Sequence, residues 1–287
     1  MKTLRLIAGT LLFSLIFFSC DYTINREENT DTDGITIAED EIFSLKSAEV
    51  TEEEAQVTGF SVDKPLMGPG FGMGGGCLCG KFFPSCATVT VSGDSYPKEI
   101  VVEFGEDCLD RFGNTRTGTI IITITDTLKN AGAVLTVEYD SVTFRDRLID
   151  RLMVMENLGQ NDAGNWVIAI DDSAVIHYGD SITSVRVSSY EQEWLSGFGT
   201  PDFDDDIFYK TGGGTISIND EAVFTKTIVE PLLIDRSCGY IISGIIEIVK
   251  MDNVMTIDFG DGTCDSIATV TKDGTSEIID LDQCRFR

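Results

Sequence analysis

Cys86-Ala87-Thr88-Val89-Thr90-Val91-Ser92-Gly93 is a strand followed by its turn. Val and Thr alternate, as they do on a pleated surface with one covered face, and Ser-Gly breaks the run. Phe104-Gly105-Glu106-Asp107-Cys108-Leu109-Asp110 closes the unit. A weak second copy lies far downstream. Cys238-Gly239-Tyr240-Ile241-Ile242-Ser243-Gly244 opens it and Phe259-Gly260-Asp261-Gly262-Thr263-Cys264-Asp265 ends it. The simplest physical reading is two hairpins, each clipped between its outer ends by Cys86–Cys108 and Cys238–Cys264. Loops of this size stabilise by roughly 3–4 kcal/mol apiece in the chain-entropy model.

Runs of the same kind recur through the C-terminal two thirds of the chain. They include Ile100–Phe104, Thr119–Thr125, Val134–Phe144, Asn165–Ile170, Ser184–Ser189, Thr215–Ile218, Val223–Val229, Tyr240–Val249, Val254–Phe259 and Ile267–Val270. Gly, Asp and Asn separate them, and no long amphipathic helix stands out between them. Residues 86–287 therefore read as an all-β domain, a large antiparallel sheet built as a meander, a sandwich or an incompletely closed barrel.

The N-terminus reads as an export signal. Lys2 and Arg5 precede an apolar run from Leu11 to Phe18, and Ser19-Cys20 follows. Residues 1–19 fit a lipoprotein signal peptide, with Cys20 as the lipidated first residue of the mature chain. The apolar run falls short of the roughly 20 residues of a transmembrane helix, so lipid on Cys20 would supply the membrane contact. Residues 20–85 read as an acidic and Gly-rich tether. Asp21–Asp33 has no apolar face to bury, and Met67–Gly76 is flexible by composition. Within it, 40–56 is a candidate short helix on the spacing of Ile42, Leu45 and Ala48 or Glu49.

The phrases Cys86–Gly93, Tyr96–Gly105, Arg116–Ile120, Glu193–Phe198 and Phe259–Val270, with the lipidated start, resemble a family of uncharacterised Bacteroidota lipoproteins with a C-terminal Phe-Gly-Asp-Gly-Thr-Cys-Asp motif. The resemblance implies an envelope location, at the outer membrane or cell surface. It implies no activity.

Charge excludes one class of partner. The formal net charge is −27, and phosphate binding needs clustered Lys and Arg, so nucleic acid is excluded as a partner. Eight cysteines in an exported chain read as disulfides. Cys77, Cys79 and Cys284 are left without an assigned partner, and a soft metal on Cys77, Cys79 and Cys86 is the lesser alternative.

Several motifs carry little chemistry. His177 is the sole histidine, which leaves no material for a histidine-rich zinc site, and it reads as the end of a strand. Gly70-Phe71-Gly72-Met73-Gly74-Gly75 matches a dinucleotide pattern but lacks the strand and helix that give it meaning. Asn29–Gly34 with Asp40 resembles a calcium loop, yet it lacks the first Asp, the closing Glu and a preceding helix.

The richest stretch is Tyr190–Tyr209, which concentrates aromatics and carboxylates and reads as one long loop. Asp202, Asp204 and Asp206 alternate, so an extended segment would gather them into a candidate Ca2+ site. Trp194, Phe198, Phe203 and Tyr209 are the candidate ligand-binding residues. Glu191, Glu193, Asp202 and Asp204 could pair for glycoside hydrolysis, though any acidic chain supplies such pairs. The reading is a non-enzymatic envelope lipoprotein whose β domain binds a glycan, a lipid or an envelope protein. Its alternatives are a structural component with a calcium-stabilised loop, and a carboxylate-based hydrolase.

Overall fold

A computed structural model describes residues 33–61, 83–109, 115–144, 147–178, 182–200, 202–219 and 222–281. The signal segment, Cys20, Cys77, Cys79, Cys284 and the glycine run at 70–75 lie outside the described residues. Thirteen strands form one sheet in which spatial order follows chain order throughout. They are β1 (Ala87–Ser92), β2 (Lys98–Leu109), β3 (Thr115–Ile124), β4 (Val134–Phe144), β5 (Arg147–Gln160), β6 (Trp166–Tyr178) and β7 (Ile182–Ser196), then β8 (Ile207–Ile218), β9 (Ala222–Asp235), β10 (Tyr240–Lys250), β11 (Asn253–Asp261), β12 (Ile267–Lys272) and β13 (Thr275–Asp280). Every neighbouring pair is antiparallel. The sheet is an open meander, not closed into a barrel.

The central strands alternate cleanly. On β5, Ile149, Arg151, Met153, Met155 and Asn157 are buried while the residues between them face out. The same phase runs through Ile168, Ile170, Asp172, Ala174 and Ile176 of β6. One face of the sheet is thus a covered inner face. Gly212-Gly213-Gly214 lies where β8 loses register with β9. A Cβ at these positions would sit 2.2–2.3 Å from backbone oxygens of Ser189, Lys226 and Val187. Only glycine permits this backbone approach, and the irregular strand bends there.

What covers the inner face is the N-terminal segment. Residues 33–61, expected as acidic tether, form a single helix, α1 (Asp33–Ser61, 29 residues). The candidate short helix at 40–56 lies wholly inside it. At about 1.5 Å per residue α1 is some 44 Å long, close to the length of the 14- and 15-residue strands β5 and β7 at about 3.3 Å per residue. No proline interrupts it, and no glycine falls between Gly34 and Gly59. It has almost no amphipathic face because nearly all of it is buried. From Glu41 to Phe60 only Lys46, Glu49, Val50 and Glu53 are partly open, and these make a single stripe at helical spacing. The spacing of Ile42, Leu45 and Ala48 marks only the middle of α1, because its buried positions also include Glu, Gln, Ser and Thr.

Hydroxyls inside the helix turn back on its own backbone. Ser47 Oγ donates to the Ser44 carbonyl at 2.9 Å, Thr51 Oγ1 to Ser47 at 2.8 Å and Thr58 Oγ1 to Glu54 at 2.7 Å. Around it Ile42, Leu45, Ala55 and Phe60 join the main core with inner residues from β2 to β13. Among the described residues no helix is long and apolar enough to cross a membrane.

Both expected disulfides are present. Cys86 and Cys108 clip the β1–β2 hairpin, and Cys238 and Cys264 clip β10–β11. They close loops of 22 and 26 residues. Replacing either pair by Ser should lower unfolding free energy by about 3–4 kcal/mol, read from urea unfolding under non-reducing conditions.

Candidate functional site

The strongest concentration of chemistry is the interface between α1 and the sheet. Arg116, Arg151, Arg186, Lys210 and Lys226 are buried, one each on β3, β5, β7, β8 and β9. All occupy inner-face positions, where alternation calls for an apolar residue. Opposite them α1 buries Glu41, Glu52 and Glu54. Glu41 takes Lys226 Nζ at 2.7 Å and Arg186 Nη1 at 2.6 Å. Arg186 also reaches Asp40, which accepts a further bond from the Tyr178 hydroxyl. Glu52 takes Lys210 Nζ at 2.6 Å and the Gln192 amide at 2.6 Å. Glu54 receives Arg116 in a two-pronged pair, at 2.5 and 3.2 Å.

Arg151 completes the set differently. Its Nη1 donates to Thr51 Oγ1 at 3.0 Å and the Ser47 carbonyl at 3.3 Å, while Nε lies 3.0 Å from Asp172 of β6. Gln56 donates to Gln192 Oε1 at 2.8 Å and accepts from Arg236. With Arg236 and Asp206, six cations face six carboxylates: Asp40, Glu41, Glu52, Glu54, Asp172 and Asp206. Burial pushes the Glu41 carboxyl up, but Lys226 and Arg186 overcome it and hold the group below the usual carboxylate range. Burial alone would lower Lys226, and Glu41 more than restores it.

The stretch Tyr190–Tyr209 is not one loop. Residues 190–196 finish β7 and 207–209 begin β8, so the turn is confined to 197–206. Alternation sorts the residues: Tyr190, Gln192 and Trp194 face in, Glu191, Glu193 and Leu195 face out. Trp194 is 2% exposed and stacks on Phe208 at 4.8 Å. Phe198 stacks on Trp166 at 4.7 Å and meets Phe60 of α1 edge-on at 5.1 Å. Phe203 packs against the same core. Of the four aromatics expected at a ligand surface, Tyr209 alone stands on the outer face.

The three aspartates do not run extended. A 3-10 turn occupies Phe203–Asp205, and Asp202 caps it by accepting the Asp204 N–H at 3.2 Å. Asp204 is exposed, whereas Asp206 is buried against Arg236 Nη1 at 3.5 Å. The alternation behind the calcium expectation is therefore broken. Among the described residues no group of three His, Cys, Asp or Glu is placed to hold a metal ion. Asp40 of the calcium-loop pattern sits inside α1 on Arg186, with Asn29–Thr32 outside the described residues.

Glu193 accepts from Asn161 and Asn165, each at 2.8 Å, and these bonds, Asn165 first, hold its carboxyl below the usual range. That is opposite to what a general acid requires. His177, near the end of β6, lies 3.3 Å from Asp150 on the outer face.

Two surface features remain. The outer face of β4–β7 carries a shallow depression of about 430 Å³, lined by Leu152, Val175, Val185 and Val187 with Glu138 and Asp150 beside them. A second recess, of about 310 Å³, opens at the end of the sheet where α1 begins. No protein-family model matches the chain, and neither does any curated protein or solved structure.

Glu41→Ala would leave Lys226 uncompensated in the interior and Arg186 with Asp40 alone. It should cost about 3–5 kcal/mol of stability. Glu49→Ala on the open stripe should stay within about 0.5 kcal/mol in the same urea titration.

Asp206 supplies a pH test. Burial pushes its carboxyl up to about 7 against the pull of Arg236 and of the Trp194 indole. Between its ordinary value of 3.8 and about 7 the folded chain binds a proton that the unfolded chain does not. Its contribution to stability must therefore fall as pH rises through that window. Asp206→Asn lacks this slope, so the variant should gain on the parent between pH 5 and pH 8, measured by urea midpoints.

Proposed function

We propose that the chain is an exported lipoprotein, anchored at the cell envelope through Cys20, whose β domain binds a protein partner on its outer surface. The observation that carries this reading is the occupied interior. The inner face of the sheet could receive a ligand, but here α1 covers it and meets Arg116, Arg186, Lys210 and Lys226 with Glu54, Glu41 and Glu52. Recognition is left to the outside of the sheet. The outer face of β5–β7 supports this, because Leu152 and Val187 are 47% and 52% exposed in an otherwise acidic chain. The register sets them opposite Ser173 on the two sides of β6. With Val175 and Val185 they make an apolar floor with carboxylates at its edge, which suits a partner with an apolar centre and basic flanks.

The signal segment, the cysteine after it and the resemblance to Bacteroidota lipoproteins support the anchor and an outer-membrane or cell-surface location. Two disulfides fit an oxidising compartment.

The test places a photo-crosslinking residue at Val187 in cells that produce the chain. A discrete adduct is expected, and Leu152→Glu should reduce it about tenfold, the scale of losing one well-buried apolar contact. A position that yields no adduct above an outward control at Thr183 would refute the outer-face assignment. Labelled palmitate incorporation that survives Cys20→Ala would refute the anchor.

A further inference from the structure

Basic side chains are scarce on the outside of this chain. Of its 21 Lys and Arg, Arg116, Arg151, Arg186, Lys210 and Lys226 are engaged in the interior. The outward positions of β5, β6 and β7 carry Asp150, Glu156, Asp171, Glu191 and Glu193 and no Lys or Arg. The 430 Å³ depression therefore lies in an electronegative surface. A partner seated in it must bring its own cations.

The depression has a small residue between two large ones. Ser173 pairs with Leu152 on one side and Val187 on the other, and all three face out. Leu152 and Val187 stand two strand spacings apart, about 9.6 Å. A flat ring set over Ser173 would touch both. Carboxylates stand beyond the ring in both strand directions. Asp150 pairs with Val175, two residues past Ser173, and Asp171 lies two residues before it. They are about 13 Å apart along the strands.

One segment of the chain has the matching order. Arg285-Phe286-Arg287 is the one place where an aromatic residue has a cation on each side. Counted with Asp282, residues 282–287 are still net basic in a chain of −27. The segment cannot reach the depression of its own molecule. Leu281, the last described residue, is buried, and its N–H donates to the Ser266 carbonyl at 2.6 Å. Phe286 comes five residues later, at most about 18 Å of extended chain. β6 lies seven strands from β13 and five from the opposite edge, so the routes over the outer face measure about 34 Å and at least about 24 Å. The occupant has to be another copy.

We infer that the depression on β5–β7 receives Arg285-Phe286-Arg287 of a second copy of this chain, with Phe286 over Ser173 between Leu152 and Val187 and the two guanidiniums at Asp150 and Asp171. This rests on the outer-face reading above and supplies its partner. The two surfaces that meet are different, so the contact is head-to-tail and repeats from copy to copy. Remote like charges of two acidic copies are screened beyond about 8 Å at physiological salt, and the partly buried contact pairs much less.

The experiment is sedimentation velocity over a range of concentrations. It uses residues 21–287, since the apolar signal segment would associate by itself. The parent should form species larger than one copy that dissociate on dilution. Phe286→Ala and Val187→Glu should each weaken this about tenfold or more, the scale of losing one buried contact. Each variant keeps one half of the contact, so a mixture of the two should give dimers and nothing larger. Arg285→Glu with Arg287→Glu should abolish association, and Asp150→Arg with Asp171→Arg in the same chain should restore it. Unchanged urea midpoints check that the variants fold. A parent that stays monomeric, variants that associate as the parent does, or a mixture without dimers overturns the inference. The crosslink at Val187 keeps the two readings apart. An adduct with a different protein overturns the second copy as occupant and leaves the outer-face reading standing, and no adduct overturns both.

Discussion

Charge inside the sheet is the constraint on which the rest depends. An isolated carboxylate taken out of water costs several kcal/mol, and α1 takes in three glutamates over its length. Each must meet a cation at hydrogen-bond distance. The sheet meets this demand by giving β3, β7, β8 and β9 one basic residue each on the inner face, opposite Glu54, Glu41 and Glu52. Such pairs add little net stability over a well-packed apolar interface, but removing one partner is expensive. Their effect is to fix the rotation and axial position of α1. A turn of the helix in its trough would set Glu41 and Glu54 against Ile or Met instead.

Seen this way, the acidity of the chain has two parts. Most carboxylates face solvent, as at Glu191, Asp202 and Asp204. Glu41, Glu52 and Glu54 of α1 are interior groups, each with a cation beside it. The same division explains the Tyr190–Tyr209 stretch. Its residues Trp194, Phe198, Phe203 and Phe208 belong to the core that receives the C-terminal end of α1, where Phe198 lies between Trp166 and Phe60, whereas Tyr209 faces out. Its glutamates belong to the outer face, and Asp206 alone joins the interior, against Arg236.

The sheet was legible because strand periodicity is a local property. Val-Thr alternation marks β1, and the two cysteine-bounded units mark the clipped hairpins without tertiary knowledge. β5 was missed because Arg147-Leu-Ile-Asp-Arg-Leu-Met-Val-Met-Glu is built of residues that favour helices, with Leu and Met in place of Val and Thr. β7 was cut short because Tyr190–Ser196 looked like binding chemistry, although its inward positions are Tyr, Gln and Trp. Of the helix only the stretch at 40–56 was legible, on Ile42, Leu45 and Ala48, and its burial was not. A buried element normally announces itself by apolar residues, and α1 buries Ser, Thr, Gln and Glu. One signal was available: Arg116, Arg151, Arg186, Lys210 and Lys226 interrupt apolar alternation in phase, on five strands. Five inward cations require an internal anion, and the acidic stretch before the sheet was the place to look for it.

The pairing of α1 with the sheet also sets a timetable. Glu54 finds Arg116 after 62 residues, but Glu41 waits 145 residues for Arg186 and 185 for Lys226. The first element made is the last to be neutralised. Until β9 exists the helix has no complete receptor, and the interior cannot close over it. Contacts so distant in sequence make for slow folding, so a chain emerging N-terminus first stays open until nearly all of it has been delivered.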